Sequence, residues 1–133
     1  MRLSAAAELA IRGVLVLADR YGKGPVTLDA VCVQRELPKQ YLTKIFASLT
    51  RNGIVQPVRG KGGGYMLGRP PQNISLLDVV EAVEGPIAMN FCQTVPCQCD
   101  EVDCLIRPVW TDVQKTLKIK LGSVKISQCV KQS

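Results

Sequence analysis

Residues 37–69 read LPKQYLTKIFASLTRNGIVQPVRGKGGGYMLGR, and this stretch decides the fold. Its first half places apolar residues at helical spacing, which predicts a helix that has Pro38 in its first turn and stops at Gly53. The predicted inward positions of this helix are Tyr41, Leu42, Ile45, Phe46 and Leu49. Its predicted outward positions carry amides, hydroxyls and cations, and they are Lys39, Gln40, Thr43, Lys44, Ser48 and Arg51. Such an outer face suits a helix that reads DNA.

The second half of the stretch predicts a β-hairpin directly after this helix. Residues 54–59 alternate like a strand, 60–64 form a glycine-rich tip and 65–67 return as a second strand. Upstream, Thr27 suits the cap of a shorter helix, and two short helices joined tightly form a helix-turn-helix. A hairpin that follows a helix-turn-helix is a wing. The predicted fold class is therefore mainly α with a small β-hairpin wing, a winged helix-turn-helix.

The glycine-rich tip of the hairpin matches no nucleotide-binding loop. Lys61 is followed by Gly62 rather than by Ser or Thr, and Tyr65 stands where a G-x-G-x-x-G motif needs its last glycine. A flexible tip between Arg59 and Lys61 instead lets the backbone approach DNA while Arg59 reaches into a groove. The tip therefore favours contact with nucleic acid.

Three further helices flank the central stretch. The apolar residues in 2–21 have helical spacing, which predicts a first helix. Ser75 is predicted to cap a fourth helix, in which Asp78 occupies the third position. A long C-terminal helix is predicted by an apolar stripe at steps of three and four, formed by Ile106, Trp110, Val113, Leu117, Leu121 and Val124. Because the earlier elements supply their own core, this stripe favours a contact with a second subunit.

The net charge of +6 is concentrated in one part of the chain. Residues 34–69 contain seven basic side chains and one acid, and the remainder of the chain has ten of each sign. Residues 78–103 contain six acids and no Lys or Arg. A basic segment beside a separate acidic one indicates a polyanion-binding module with a second function elsewhere. With no histidine to transfer protons and no nucleotide loop, the sequence does not favour an enzyme.

That second function is indicated by four cysteines, Cys92, Cys97, Cys99 and Cys104, in the spacing C-x4-C-x-C-x4-C. Thiolates bind borderline and soft metals and iron–sulfur clusters, and the absence of paired C-x2-C knuckles favours a cluster over zinc. A disulfide framework is disfavoured because the first 18 residues are neither a secretory signal nor a membrane span, which predicts a cytoplasmic protein. A thiol redox switch is the remaining alternative.

The two other cysteines are predicted to lie outside this site. Cys32 shares an apolar helical face with Leu28 and is expected in the core, and Cys129 lies in a polar tail. The predicted organisation is a winged helix-turn-helix domain at 1–87, a cysteine-rich loop at 88–104, a dimerisation helix at 105–125 and a polar tail at 126–133.

Taken together, these motifs resemble a family of bacterial transcription regulators, those of the IscR, NsrR and RirA type. The resemblance covers about residues 1 to 125. It is carried by MRL at the start, LPKQYLTKIFASLTRNGIV, VRGKGGGYMLGR, ISLLDVVEAVEGP and the clustered cysteines. The family implies a cytoplasmic homodimer that binds a pseudo-palindromic DNA operator, typically as a repressor. It also implies an iron–sulfur cluster whose state, altered by oxygen, nitric oxide, iron supply or redox potential, changes the affinity for DNA.

The resemblance also assigns DNA contacts by position. Lys39, Gln40, Thr43 and Lys44 would meet major-groove edges or nearby phosphates, and Arg59 with Gly60 would enter the minor groove. Arg51 and Lys61 complete the predicted DNA-binding set.

Two departures from the family pattern concern the cluster ligands. The family's even cysteine spacing would place the middle ligand at Gln98, which is flanked by Cys97 and Cys99, so that either or both are candidates. Some members use a histidine three residues after the last cysteine, where this chain has Arg107, which is not a plausible ligand. Others use a carboxylate of the partner's first helix, and Glu8 stands at that position. We therefore expect three cysteines plus Glu8 around a 4Fe–4S cluster, ahead of four cysteines, and 4Fe–4S ahead of 2Fe–2S. The alternative is a winged-helix regulator switched by cysteine oxidation or zinc without a cluster.

Overall fold

The computed structural model describes residues 3–36 and 38–131, and it confirms the predicted fold class. Within these described residues, five helices and one two-stranded antiparallel sheet follow each other. They are α1 (Ala5–Asp19), α2 (Leu28–Arg35), α3 (Lys39–Arg51), β1 (Val55–Val58), β2 (Gly64–Leu67), α4 (Leu76–Glu84) and α5 (Arg107–Ser123). Short 3-10 turns lie at Pro71–Asn73, Phe91–Gln93 and Ile126–Cys129. The part before α5 is thus a helix-turn-helix with a hairpin wing.

The first helix is shorter than its apolar pattern predicts. The hydroxyl of Ser4 accepts a hydrogen bond from the backbone N–H of Ala7 at 3.1 Å, and this cap starts α1 at Ala5. The helix ends at Asp19, so that Tyr21, predicted to be its last apolar residue, is exposed. The predicted start at Arg2 lies outside the described residues. The apolar periodicity correctly predicted the buried face of α1, whereas the Ser4 cap determines where the helix begins.

The core forms where α3 crosses α1 and meets the wing. Phe46 is fully buried, and a Cβ atom on Gly13 of α1 would lie 2.7 Å from its ring carbon Cε1, so only glycine lets the two helices approach this closely. The Phe46 ring also meets the Tyr65 ring edge to face, with 4.9 Å between centroids. Tyr41 was predicted to be an inward residue of this helix, but it is 41% exposed. It lies on the flank of α3, which no neighbouring element covers in the described chain.

The wing is fixed to the body by a third extended segment. Strands β1 and β2 pair with Val55 opposite Leu67 and Val58 opposite Gly64. Val26, just before α2, exchanges two backbone hydrogen bonds of 2.8 Å with Tyr65. Gly64 has a φ of +153°, and a Cβ there would lie 2.4 Å from the carbonyl oxygen of Val26. The last glycine of the tip is therefore required by close backbone packing and not by flexibility.

The capping box predicted at the start of α4 is present. The Ser75 hydroxyl accepts from the Asp78 N–H at 3.0 Å, and the Asp78 carboxylate accepts from the Ser75 N–H at 2.9 Å. Arg69 donates to the same carboxylate at 3.2 Å and to the carbonyl of Asn73 at 2.9 Å. Partial burial raises the pKa of Asp78, but the hydrogen bonds from Ser75 and the charge of Arg69 outweigh it and hold that pKa below its usual value.

An Asp78→Asn protein is expected to lose about 0.5–1 kcal/mol of unfolding free energy at pH 7, a modest loss because solvent screens a carboxylate that is 42% exposed. Since the folded pKa lies below the unfolded value of about 3.9, the wild-type advantage is present above that value. It is lost as the pH falls through the folded pKa. Urea unfolding measured from pH 7 to pH 3 checks this. An Asp19→Asn protein is the control, and a stability gap between Asp78→Asn and wild type that stays constant with pH would contradict the assignment.

The C-terminal helix lies on the surface of the single chain. No residue of α5 is buried, and its contacts with α4 include Gly122 beside Leu77 and a Lys118–Glu81 ion pair at 3.8 Å. Its exposed apolar residues include Val109, Val113 and Ile119. No described helix combines the length and the hydropathy that crossing a membrane requires.

The segment after α5 corrects the prediction of a polar tail from residue 126. Ile126 is fully buried, and its N–H donates to the carbonyl of Ile74 at 2.8 Å. The N–H of Leu76 donates to the carbonyl of Val124, also at 2.8 Å. These bonds attach the end of the chain to the start of α4, a pairing between distant residues that the local polarity of the segment hides.

Candidate DNA-binding surface and cysteine loop

The outward face of α3 presents the predicted DNA-binding side chains to solvent. Gln40, Thr43 and Lys44 are exposed along its first two turns, and no side chain caps the helix at Pro38. Lys39 is exposed as well, but its Nζ forms an ion pair of 2.7 Å with Asp29 of α2. The hydrogen bond and the charge of Asp29 raise the pKa of Lys39. Lys39 thus has a protein partner that a phosphate would have to replace, whereas Lys44 forms no salt bridge among the described residues.

The remaining predicted residue of α3 lies at the far end of the helix. Arg51 donates to the Ser48 hydroxyl at 2.9 Å. It follows Lys39 by twelve positions, which corresponds to roughly 18 Å along a helix. Arg51 and the first turn therefore reach different places on any bound duplex.

The tip of the wing, residues 60–64, and Arg59 just before it together present two cations on a tightly turned backbone. Arg59 and Lys61 are exposed, and neither forms a salt bridge within the described part of the chain. Gly60 has a φ of +96°, and a Cβ on Gly63 would lie 2.2 Å from the carbonyl oxygen of Val58. Glycine at these two positions shapes the turn that projects the cations. The wing therefore offers two cations that no acidic side chain of the described residues engages.

Arg69 shows that the basic segment is not all available to a polyanion. Sequence analysis counted it in the positive patch, yet its guanidinium is engaged by Asp78, by the carbonyl of Asn73 and by the carbonyl of Gly53. It joins the end of the wing to α4. The role of Arg69 is therefore structural. The sequence does not reveal this role, because the partners of Arg69 belong to other segments that approach it only in the folded chain.

The cysteine loop, residues 88–104, connects α4 to α5 and is attached to α5 by side chains. The N–H of Met89 donates to Gln114 Oε1 at 2.9 Å, and Gln93 Nε2 donates to Thr111 Oγ1 at 2.9 Å. Within the loop, Thr94 Oγ1 accepts from the N–H of Gln98 at 3.1 Å. Sequence analysis missed these anchoring residues, because single polar side chains on a helix give no signal of what they hold.

The four loop cysteines are free thiols that differ in exposure. Cys92 is buried, Cys99 and Cys104 are half-buried and Cys97 is exposed. The Cys97 thiol donates to the carbonyl of Cys99 at 3.6 Å. Glu8, the predicted fourth ligand beside three cysteines, lies on α1 with its side chain 56% exposed and paired with Arg12. Within residues 3–36 and 38–131, no three Cys, Asp or Glu side chains are gathered into a metal-binding group.

Arg107, the first residue of α5, lies within electrostatic reach of three of these cysteines. Its guanidinium interacts most strongly with the Cys99 thiol, and the charges of Cys97 and Cys92 act on it as well, so that the pKa of Arg107 is raised. Nη2 donates to the carbonyl of Glu101 at 2.9 Å. Nε is fully buried and has no hydrogen-bond partner, although the side chain as a whole is only half-buried.

The residues of this loop fit a thiolate-bound metal group by their chemistry. Cysteine sulfur is the ligand for iron–sulfur clusters and zinc, and an unpaired buried N–H donor beside the sulfurs suits an anionic neighbour. Sequence analysis had excluded Arg107 as a ligand and assigned it no other role. The one sequence signal that could have indicated a role near the cysteines was the position of Arg107, three residues after Cys104.

A helix-turn-helix, a glycine-tipped basic wing and a long terminal helix define the class of winged-helix transcription regulators. Within that class the chain belongs to the Rrf2 family, described as iron-dependent transcriptional regulators, whose family model matches residues 3–132. This confirms the family and the regulatory class that the sequence motifs predicted, and the chain is not an enzyme.

Individual relatives support the assignment over almost the whole chain. The transcriptional regulator IscR of Xenorhabdus nematophila is 33% identical over 132 residues, covering 98% of this chain and 80% of that protein. Among solved structures, CymR, the global cysteine regulator of B. subtilis, has a TM-score of 0.82 and 25% identity, covering 97% of this chain and 95% of that one. T. potens IscR has a TM-score of 0.77 and 28% identity, covering 97% and 85%.

Proposed function

We propose that this protein is a homodimeric cytoplasmic regulator whose affinity for a DNA operator is controlled by an iron–sulfur cluster on the cysteine loop. The observation that carries the proposal is the presence of four free thiols, Cys92, Cys97, Cys99 and Cys104, on the one loop that leads into Arg107 at the start of α5. The description of the family as iron-dependent and the similarity to IscR proteins support it. In this proposal residues 1–87 bind DNA, 88–104 hold the cluster and 105–125 join the subunits.

The DNA contacts in this proposal divide into three groups. Gln40, Thr43, Lys44 and Lys39 of α3 read major-groove edges or bind nearby phosphates, Lys39 after exchanging Asp29 for a phosphate. Arg59 with Gly60 enters the minor groove, where a narrow groove favours arginine. Lys61 and Arg51 bind phosphates. Two such heads in a symmetric dimer would read a pseudo-palindrome.

Dimerisation through α5 is supported by its apolar surface. Val109, Val113 and Ile119 are exposed in the single chain, and no residue of this 17-residue helix is buried there. A long helix with an exposed apolar surface requires a covering partner to be stable in water. A second copy of the same helix supplies one.

The proposed ligands are Cys92, Cys104, one or both of Cys97 and Cys99, and Glu8 of the partner subunit, with a 4Fe–4S cluster preferred over 2Fe–2S. Glu8 lies on the exposed face of α1, where it is accessible to a second subunit. When bound, the cluster supplies a group that oxygen, nitric oxide, iron supply or redox potential can alter. Because these ligands span the loop and the partner's α1, their engagement favours one arrangement of the two recognition helices over others.

The test is iron, acid-labile sulfide and the absorption spectrum of protein purified without oxygen. Wild type should contain iron and sulfide in equal, stoichiometric amounts and lose sequence-specific DNA affinity, or gain it, when the cluster is removed. A Cys92→Ala protein should lose the cluster, whereas Cys129→Ala, a substitution outside the loop, should keep it. Glu8→Gln should destabilise the cluster if Glu8 is a ligand. Zinc or no metal in wild type would contradict the cluster proposal.

A second candidate function is regulation by cysteine oxidation or zinc without a cluster. Cys97 is exposed and two residues from Cys99, and all six cysteines are free thiols. The similarity to a structure described as a global cysteine regulator is consistent with a sulfur-linked signal. In iron-free wild-type protein, this candidate requires that peroxide change DNA affinity reversibly and that Cys97→Ser abolish the change.

A further inference from the structure

We propose that Arg107 is a positioning residue that directs a permanent positive charge at the sulfur ligands and thereby raises the reduction potential of the bound cluster. This inference rests on the proposed function, since it concerns the same loop. It assigns a role to a side chain that offers no lone pair to a metal.

The orientation of Arg107 is fixed by its own hydrogen bonds. Nη2 is held by the carbonyl of Glu101 at 2.9 Å, and this bond turns the side chain back toward the loop. Nε is then buried, and no described residue offers it an acceptor within hydrogen-bonding reach. A buried donor without a partner is uncommon and unfavourable, because the group has lost its water and gained nothing in return. A cluster sulfur or a thiolate at that place would satisfy it.

The start of α5 adds to the same positive field. Ile106 provides no side-chain cap, the first turn contains no acid, and Arg107 is the first helical residue. The N-terminus of a 17-residue helix carries a partial positive charge, which an acidic cap would otherwise offset. Cys104 precedes the helix by three residues, so the helix end and the guanidinium act on the same loop.

A positive charge at this place has a definite redox consequence. A cluster held by thiolates is anionic, and each added electron increases its negative charge. Nearby cations and hydrogen bonds to sulfur stabilise the reduced form more than the oxidised form. Arginine stays protonated throughout, so it contributes the same charge in both states and transfers no proton.

The experiment is a redox titration of anaerobic wild-type, Arg107→Gln, Arg107→Lys and Lys115→Gln proteins, followed by the visible absorption of the cluster. In each titration one electron passes from a reduced viologen dye to one cluster, the dye is oxidised, and no bond to Arg107 forms or breaks. Arg107→Gln should lower the equilibrium constant for reduction by about tenfold, which is about 59 mV for a one-electron couple. Arg107→Lys should recover part of the shift. Lys115→Gln removes the same charge from an exposed site on α5 and should change the constant much less.

The possible outcomes distinguish this inference from the function on which it rests. Wild type with iron and sulfide, and with equal potentials in all four proteins, would overturn the role of Arg107 and leave the cluster proposal intact. Wild type without iron and sulfide would overturn both. If Arg107→Gln loses its cluster during purification, Arg107→Lys carries the test. A potential in Arg107→Lys that is higher than in wild type would then overturn the inference.

Discussion

A Phe46→Ala protein is expected to unfold with a free energy about 3–5 kcal/mol smaller than that of the wild type, which is the usual loss for truncating a buried phenylalanine. Phe46 is fully buried where α3, α1 and the wing meet. It fills the space left by Gly13, and it packs edge to face against Tyr65. Because all three elements touch one ring, the cavity cannot be closed by the movement of a single side chain. This loss is a large share of the unfolding free energy of about 5–15 kcal/mol that is typical of a domain.

Urea unfolding followed by circular dichroism measures this loss as a lower midpoint at an unchanged slope. Tyr41→Ala is the matched control, since it removes a comparable ring from the same helix at a position that is 41% exposed. We expect it to cost less than about 1 kcal/mol, as partly exposed side chains away from the core generally do. Similar losses for the two variants would show that Phe46 is not the centre of the core.

The elements of the fold that sequence analysis found are those specified by local signals. The apolar spacing of α3 and the Ser75–Asp78 capping box each lie within a few residues, and the structure has both. The boundary of α1 was wrong because a cap at Ser4 overrode an apolar pattern that extends further. The prediction that Tyr41 faces inward was wrong because apolar spacing defines a helix face but does not show how much of that face a neighbouring element covers. Ile126 was missed because its burial depends on Ile74, more than fifty residues earlier.

The site was predictable in its residue types and not in its contacts. The sequence predicts a basic DNA-binding segment, yet in the structure Lys39 is paired with Asp29 and Arg69 with Asp78. Ion pairs between elements decide which cations remain available, and composition does not report them. Likewise, the sequence excluded Arg107 as a ligand, and only the structure shows that it bonds to the carbonyl of Glu101 with its Nε buried.

A protein in which both Arg59 and Lys61 are replaced by alanine is expected to show the largest change in DNA binding. These two cations are exposed at the wing tip and form no salt bridge among the described residues, so binding a phosphate or groove costs them no existing partner. Each lost phosphate contact reduces the dependence of log affinity on log salt by about 0.9. For two cations in each of two subunits the slope should fall by up to about 3.6. A fourfold rise in salt would then weaken wild type about 10²-fold more than the variant.

Fluorescence anisotropy with a labelled non-specific duplex at several salt concentrations measures this slope. The control is the Lys115→Ala, Lys120→Ala protein, which loses the same charge from exposed positions on α5. Its slope should stay within one unit of the wild type, because those lysines lie on the proposed dimerisation helix and not on the wing. If both double variants lose the same slope, binding depends on net charge alone and the wing is not the DNA contact. If only the Arg59, Lys61 variant has a smaller salt slope, the glycine tip holds these two cations against the duplex. Gly60, which has a φ of +96°, lies between these two cations and shapes the turn that projects them.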